Sequence, residues 1–587
     1  MASPKKLLAR ALQQHQAGDL MAAGQLYRKV LDKDPKNVDA LNLLGTLLLS
    51  AGQAETAVEL LARATDLAPD YFAPFVNFGN ALQTLGRTDE AVTAFETARR
   101  LEPKSAEAAA NHASALGDAA RHADALDAAT EALRLQPGMA AGLNNMGNAL
   151  LGLGRAEEAR QRYAQALTLT PGDASAHYNM GNALMDLGDP ATAAASFKRA
   201  TALDPKDAEK HFNLGNALSA SHLYDEAIQS FEKALALDPA HVAAHCNLAA
   251  DYQATERSAE AVQHLMKAVA LEPDSADLHW NLALAHLQGG NMEDGWAEYE
   301  WRWRTETFKP HLRGWTAPTW TGEDLGGGTL FIHTEQGFGD ALRFCRFASL
   351  AADRAGRVVL ECRPPLTRLL AALDGVDQAI DLGAEPPAHD AQVALLSLPH
   401  VFETTLETLP ADVPYLAVPT DATPPAAITE AGAGLKVGFV WAGSATRQQA
   451  QVRDCEVRMF EPLMRLPDCR FFSLQVGDGA ADLKTLADDI DVADLAPGLK
   501  DFADTAATIA ALDLVITVDT AVLHLAAALG RPTWGLMSKP TGYFWMEGLN
   551  DSPWYSTLRL FRQPEPGDWE SVFGEAEEAL GALLAER

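Results

Sequence analysis

The sequence predicts two folds in tandem: an all-α superhelix of about nine helix pairs, then an α/β region of two Rossmann-like lobes. Three observations carry this. Proline recurs every 34 residues at Pro35, Pro69, Pro103, Pro137, Pro171, Pro205, Pro239 and Pro273. A small residue keeps the same period at Ala11, Gly45, Gly79, Ala113, Gly147, Gly181, Gly215, Ala249 and Ala283. Beyond residue 328, short apolar runs alternate with helical patterns, as in parallel sheets crossed by helices.

One repeat shows the physics. AEKHFNLGNALSAS reads as a first helix in which Gly215 admits the partner helix. YDEAIQSFEKALAL reads as the second, with Ala227, Phe231 and Ala234 on one inward face. Asp238-Pro239 ends it. No such unit buries its apolar face alone, so neighbours stack. The 34-residue pattern of small, aromatic and proline positions resembles the tetratricopeptide repeat (TPR) over about residues 4 to 305.

An asparagine stands two residues before the small position in seven repeats: Asn77, Asn111, Asn145, Asn179, Asn213, Asn247 and Asn281. A second follows the glycine at Asn80, Asn148, Asn182 and Asn216. Each amide is both donor and acceptor, so a row of them can grip an extended peptide backbone. The same row also reads as consensus polar residues that cap or solubilise helices. These positions are similar to the peptide-contacting positions of TPR proteins, including the asparagine ladder of the O-GlcNAc transferase family. That resemblance implies an acceptor protein held by the seven asparagines. The last unit, NMEDGWAEYEWRWR, departs from the pattern. Its stripe of Trp296, Tyr299, Glu300 and Trp303 reads as a cap packed on the next domain, or else as an aromatic acceptor platform.

Composition narrows the partners. A formal charge of −32 argues against nucleic acid, although a nucleotide-linked donor needs only a local positive site. No run of 18 apolar residues reads as a membrane span. MASPKKLLARALQQHQAGDL lacks the apolar core and cleavage site of a secretion signal, so a cytoplasmic location is expected. Five scattered cysteines without C-x-x-C point to neither disulfides nor zinc. The expected domains are a solenoid over 1–305, a Gly/Pro/Trp junction over 306–328, a first lobe over 329–425, and a second lobe over 426–587 with a C-terminal helix.

TLFIHTE, VVLECR, DQAIDL and VALLSL read as strands of the first lobe. KVGFVWAG, CRFFSLQVG, LDLVITVD and PTWGLM read as strands of the second. Two such lobes around a cleft make a GT-B-type architecture the expected one, with ligands at the carboxyl ends of the strands. Three strand ends carry chemistry. In FIHTEQGFGDALRF a strand ends near His333, Gly337 and Gly339 allow close ligand approach, and a helix begins at Asp340. Asp340 is either the helix cap, worth about 1 kcal/mol, or a general base facing the cleft. His333 and Glu335 are alternative bases. In VGFVWAGSATRQQAQVRD, residues Gly443, Ser444, Thr446, Arg447 and Arg453 either bind a phosphate or form a solvated loop. In LDLVITVDTAVLHLAAALGRPTWGL a helix begins after Asp519-Thr520, so its N–H groups and dipole make an anion site with the Thr520 hydroxyl. His524 lies one turn in, although a lone histidine on an apolar helix is more often structural.

The ordered set EQGFGD, VWAGS, DFADTAATIAALDLVITVDTAVLHLAAALGRPTW and DSPWYSTLRLFRQPEPGDW resembles the glycosyltransferase domain of bacterial TPR proteins. More distantly it resembles ADP-heptose:lipopolysaccharide heptosyltransferases. With the repeats, the combination is similar to the flagellin-modifying glycosyltransferases of flagellated alphaproteobacteria. The resemblance implies a protein O-glycosyltransferase that needs no metal or cofactor. Its donor is a nucleotide sugar, CMP-linked being one form, and it transfers a nonulosonic acid such as pseudaminic acid to Ser or Thr of flagellin. It puts the base on Asp340 and the donor contacts on Asp519, Thr520, Ala521, Val522 and His524, with loop contacts near Gly443, Ser444, Thr446 and Arg453. Relatives often continue W-A-G with N-P and an arginine-rich loop, whereas SATRQQAQ stands here and Arg453 alone clearly matches. Lys539, in MSKPTGYFWMEG, is a further phosphate candidate. The alternatives are a protein-binding scaffold with a vestigial transferase domain, an O-GlcNAc-transferase-like enzyme with other acceptors, and a lipopolysaccharide glycosyltransferase.

Overall fold

A computed structural model describes residues 3–443 and 453–587. The chain divides into two compact units, Met1–Pro239 and Ala240–Arg587. The later repeats therefore fold with the α/β region.

The first unit is a stack of antiparallel helix pairs, typified by Val38–Ser50 with Ala54–Leu67 and Ala208–Ala220 with Tyr224–Leu237. The small position is a contact. A Cβ on Gly215 would lie 2.5 Å from Phe231 Cε1, and one on Gly147 would lie 2.4 Å from Tyr163 Cε1. Each aromatic ring thus sits where its glycine leaves room, and Phe231 and Tyr163 are fully buried. Where the small residue is Ala113, the corresponding ring position is Ala129, and both are buried in one cluster.

A second period escaped the sequence reading. The turn inside each pair needs a left-handed residue, and it falls at Gly18, Gly52, Gly86, Ala120, Gly154, Gly188, His222, Glu256 and Gly290, all with positive φ. Glycine takes this conformation freely, whereas other residues carry strain there.

In the second unit β1 (Thr329–His333), β2 (Arg357–Cys362), β3 (Gln378–Asp381) and β4 (Ala391–Ala394) form a parallel sheet in the order β3-β2-β1-β4. VALLSL is strand only at its start. Leu395–Ser397 turns into a 3₁₀ helix, and Leu398–Val401, with Pro399 in its first turn, is helical. The second lobe contains β5 (Leu435–Val440), β6 (Cys469–Ser473), β7 (Val492–Asp494), β8 (Leu514–Val518), β9 (Thr533–Met537), β10 (Asp551–Ser552) and β11 (Tyr555–Arg562). Its order is β10-β11-β9-β8-β5-β6-β7, with β10 antiparallel and the rest parallel. Counting only the parallel strands from β5, and so leaving out β10, the run from β7 to β11 is 3-2-1-4-5-6, the doubly wound dinucleotide-binding order. The strand order reverses between β5 and β8, which places a crevice at their carboxyl ends.

The aromatic stripe of the last repeat is a cap. Trp296 and Tyr299 are buried in one cluster with Ile332, Phe344, Trp545 and Trp554 from both lobes. Among the described residues, no helix is long and apolar enough to cross a membrane.

The turn geometry makes a prediction. Ala120→Gly relieves the left-handed strain at φ 56° and raises stability by about 1 kcal/mol, whereas Gly154→Ala lowers it by a similar amount. Urea denaturation of the two variants beside the wild type measures both signs.

Candidate active-site cleft

The helix after β1 begins earlier than the sequence implies. It spans Phe338–Phe344 with Gly337 as its cap, so Asp340 is the third helical residue rather than the cap. Its carboxylate reaches back to accept the Gly337 N–H at 3.2 Å. That half of a capping box braces the turn and keeps the carboxyl at the helix mouth, half-exposed.

Asp340 faces a cavity of about 320 Å³ between the lobes. Gln336, Gly339 and Arg343 accompany it from the first lobe, and Arg453, Asp519, Thr520 and His524 come from the second. Trp280, Tyr299 and Phe308 from the end of the repeats, with Tyr543 and Phe544, complete the wall. The volume is at the small end of the range for ligand pockets.

Two charges from the second lobe pair in the cavity. Arg453 Nη1 donates to Asp519 Oδ2 at 3.0 Å, joining the chain after β5 to the chain after β8 across the reversal point. Thr520 is the cap of helix Ala521–Ala528, but its side chain does not cap it. Its hydroxyl pairs with that of Thr517 at 3.1 Å. Among the described residues, the Thr520 side chain thus leaves the first-turn N–H groups of this helix, where Ala521 and Val522 lie, without a cap from that residue.

His524 is buried and held on both sides. Arg343 Nη2 meets its Nε2 at 2.8 Å, and its Nδ1 lies 3.1 Å from the Tyr555 hydroxyl. A guanidinium only donates, so Nε2 accepts and the proton sits on Nδ1. The ring is therefore neutral, and it stacks on Trp545 with centroids 5.3 Å apart. His524 borders the cavity with both ring nitrogens engaged by protein groups.

The alternative bases are not brought to this cavity. His333 is buried, with Nε2 donating to Gln392 Oε1 at 3.0 Å, and its ring lies near Trp315 and Phe331. Burial pushes its pKa down to about 4. It lies on the same face of β1 as Phe331, beside Trp315. Glu335 is fully buried against Arg302 Nη2 at 3.0 Å, and burial pushes its carboxyl up to about 7 against the pull of that guanidinium. Arg302 also donates to Glu300 at 2.6 Å and to Ser397 at 2.7 Å, so Glu335 belongs to a structural network. The Lys539 ammonium donates to the Pro564 carbonyl at 2.6 Å and does not line the cavity. The Gly443 N–H donates to Asp454 Oδ1 at 2.8 Å. Ser444, Thr446 and Arg447 lie outside the described residues.

Sequence reasoning missed Arg343, Tyr543 and Phe544. Arg343 follows Asp340 by three positions, the spacing that puts two side chains on one helix face. Tyr543 and Phe544 lie in the segment that had been singled out for Lys539.

The asparagine row does more than face outward. In the first unit Asn77 Nδ2 donates to Asn42 Oδ1 at 2.8 Å, and Asn145 Nδ2 to the Ala110 carbonyl at 2.8 Å. Asn179 Nδ2 donates to Asn144 Oδ1 at 3.1 Å, and Asn213 Nδ2 to the Tyr178 hydroxyl at 2.8 Å. Each amide reaches one repeat back and ties neighbours together. These four, Asn111 in the same unit, and Asn247 and Asn281 in the second unit are half-buried. An amide offers four hydrogen-bonding positions, so bridging leaves capacity for a ligand.

TPR models match residues 14–77, 76–140, 110–174, 144–208, 178–242, 212–250 and 252–290. The model of glycosyltransferase family 9 (heptosyltransferase) matches residues 469–556, which hold β8, the Asp519-Thr520 turn and Tyr543-Phe544. The chain carries tetratricopeptide repeats and a glycosyltransferase family 9 domain. Protein FlbA of Caulobacter vibrioides is 29% identical over 329 residues, covering 50% of this chain and 53% of FlbA. The chain thus spans about half the length of that curated relative. Similar solved structures include the APC/C hetero-tetramer Cut9-Hcn1, 22% identical over 45% of this chain and 52% of that one, with a TM-score of 0.38. A tetratricopeptide repeat protein from Parabacteroides merdae is 17% identical over 42% of this chain and 98% of its own, with a TM-score of 0.37.

Burial of His333 in the first lobe has a pH consequence. The unfolded chain binds this proton near pH 6.5 and the folded protein only near pH 4, so the unfolded state takes up more protons as pH falls between them. Stability is present above pH 6.5 and is lost through that window, by up to about 3 kcal/mol. His333→Gln, which still donates to Gln392, removes this share, so its stability relative to wild type rises between pH 7 and pH 4.5 in urea titrations.

Proposed function

We propose that this chain is a GT-B-type, metal-independent protein O-glycosyltransferase. One observation carries the reading. Asp340 from the first lobe and the Arg453–Asp519–Thr520 group from the second face one cavity, at the point where the strand order of the second sheet reverses. A nucleotide-sugar phosphate placed there meets the Arg453 guanidinium and the first-turn N–H groups of helix Ala521–Ala528. A Ser or Thr hydroxyl of the acceptor attacks the anomeric carbon. The bond from that carbon to the departing phosphate oxygen breaks as the new C–O bond forms. The hydroxyl proton passes to Asp340, and the negative charge on the nucleotide is taken up by Arg453 and the helix N-terminus. Asp519 holds Arg453 in place before the donor arrives. The repeats present the acceptor, with the asparagine row as the contact to its backbone.

The finer reading is flagellin as acceptor and a CMP-linked nonulosonic acid as donor, in the cytoplasm. It rests on the resemblance of the combined repeats and transferase domain to flagellin-modifying enzymes. A second reading, a scaffold with a vestigial transferase domain, draws on the Arg453–Asp519 pair, which already offsets the one described cation of that loop.

Intact-mass spectrometry of flagellins from wild-type, deletion and Asp340→Asn strains separates these readings. Transfer is expected to fall about 10²–10⁴-fold in Asp340→Asn, with flagellin losing mass in units of a nonulosonic acid in both defective strains. Full modification by Asp340→Asn removes Asp340 as the base, and unchanged masses in all three strains remove flagellin as the acceptor.

A further inference from the structure

Arg343 is the unexplained charge of the cleft. Its side chain is buried, at 2% exposure, yet it lines the cavity. Nη2 is committed to His524, but among the described residues Nε and Nη1 have no hydrogen-bond partner. His524, neutral, cannot offset the charge. The carboxylates of the cavity are engaged elsewhere: Asp519 holds Arg453, and Asp340 accepts the Gly337 N–H. A buried guanidinium with two vacant donors and no counter-ion among the described residues costs folding free energy, which a bound anion would offset.

The geometry is that of a preset clamp. The guanidinium carbon stands 3.3 Å from the centroid of the Phe544 ring, and 5.5 Å from that of Trp545. Stacking on Phe544 and the bond to His524 hold the planar fork in one orientation. The His524 ring is itself held by Tyr555 and Trp545. Arg343 also lies one helical turn after Asp340 on the same face. Whatever oxyanion it binds therefore sits beside the proton acceptor, at the reacting end of the donor rather than at its base.

We infer that Arg343 binds an anionic oxygen carried by the reacting end of the donor, either the phosphate that departs or a carboxylate on the transferred sugar. This rests on the reading of the cavity as a nucleotide-sugar site and adds the residue that selects a charged donor.

Calorimetric titration of the full-length protein tests it, with two sets of probes. CMP, UDP, GDP and ADP carry phosphate without sugar, and free N-acetylneuraminic acid carries a carboxylate without phosphate. Arg343→Gln is expected to weaken at least tenfold the binding of whichever class supplies the oxyanion, with partial recovery in Arg343→Lys. Loss with nucleotides alone assigns the phosphate, and loss with the sugar acid alone assigns the carboxylate. Wild-type affinity in Arg343→Gln for every probe that binds the wild type overturns the inference and leaves the proposed function standing. A wild type that binds none of the probes overturns both. Should Arg343→Gln lose its melting transition, Arg343→Lys carries the test, with at least threefold weakening expected and unchanged binding overturning the inference.

Discussion

The second unit depends on the burial of one helix end. Met292–Tyr299 is the last helix of the repeats, yet Trp296 and Tyr299 are buried among side chains of both transferase lobes. Trp296 meets Phe344 edge to face at 5.6 Å. Aromatic burial of this size is among the larger single contributions available to a core. Next to it, Arg302 enters the protein with no exposure, which is tolerable only because Glu300, Glu335 and Ser397 all bind it. Glu335 leaves the carboxyl end of β1 only two residues after His333, so this network ties the repeat end to the strand that feeds the Asp340 helix. Tyr299 accepts a hydrogen bond from Gln336 at 2.8 Å, which joins the wall of the cavity to its floor.

That constraint gives the cavity its chemical character. Its polar groups are placed by contacts made outside it: Asp340 by a helix cap, Arg453 by Asp519, and Arg343 by His524 and Phe544. In the proposed reaction none has to reorganise when the donor phosphate arrives, and preset dipoles and charges of this kind are the main source of electrostatic stabilisation in transfer reactions. His524 illustrates the principle. It is stacked on Trp545 and bonded through both nitrogens, one of them to the Arg343 guanidinium.

Periodicity was the legible part of the sequence. The 34-residue spacing of prolines and small residues located the helix pairs, because each pair repeats a close contact between a small residue on the first helix and a side chain on the second, as at Gly215 and Phe231 or Gly45 and Leu61. The period of the left-handed turn, from Gly18 to Gly290, was overlooked because Ala120, His222 and Glu256 interrupt its glycines. The transferase strands were read mainly from continuous apolar runs. β7 is three residues long, and β11 mixes Arg559 and Ser556 with its apolar residues, so neither stood out. The start of the Asp340 helix was misplaced by two residues because Gly337, which has no side chain to announce a cap, holds that position.

The sequence by itself determined the two architectures, the repeat register and the identity of Asp340, Asp519 and Thr520 as strand-end polar residues. These are consequences of local spacing, which one chain segment can express alone. Only the tertiary structure decided which strand-end residues share a space. His333 and Asp340 are neighbours in sequence, yet a residue on a strand and a residue in the following helix point to different surroundings, and only Asp340 meets the second lobe. Arg343 and His524 lie far apart in sequence and meet at 2.8 Å because two helices from different lobes pack where Gly339 brings the backbone close to the His524 ring. Pairings across that distance depend on how the two lobes and the repeat end close together, which no local pattern encodes.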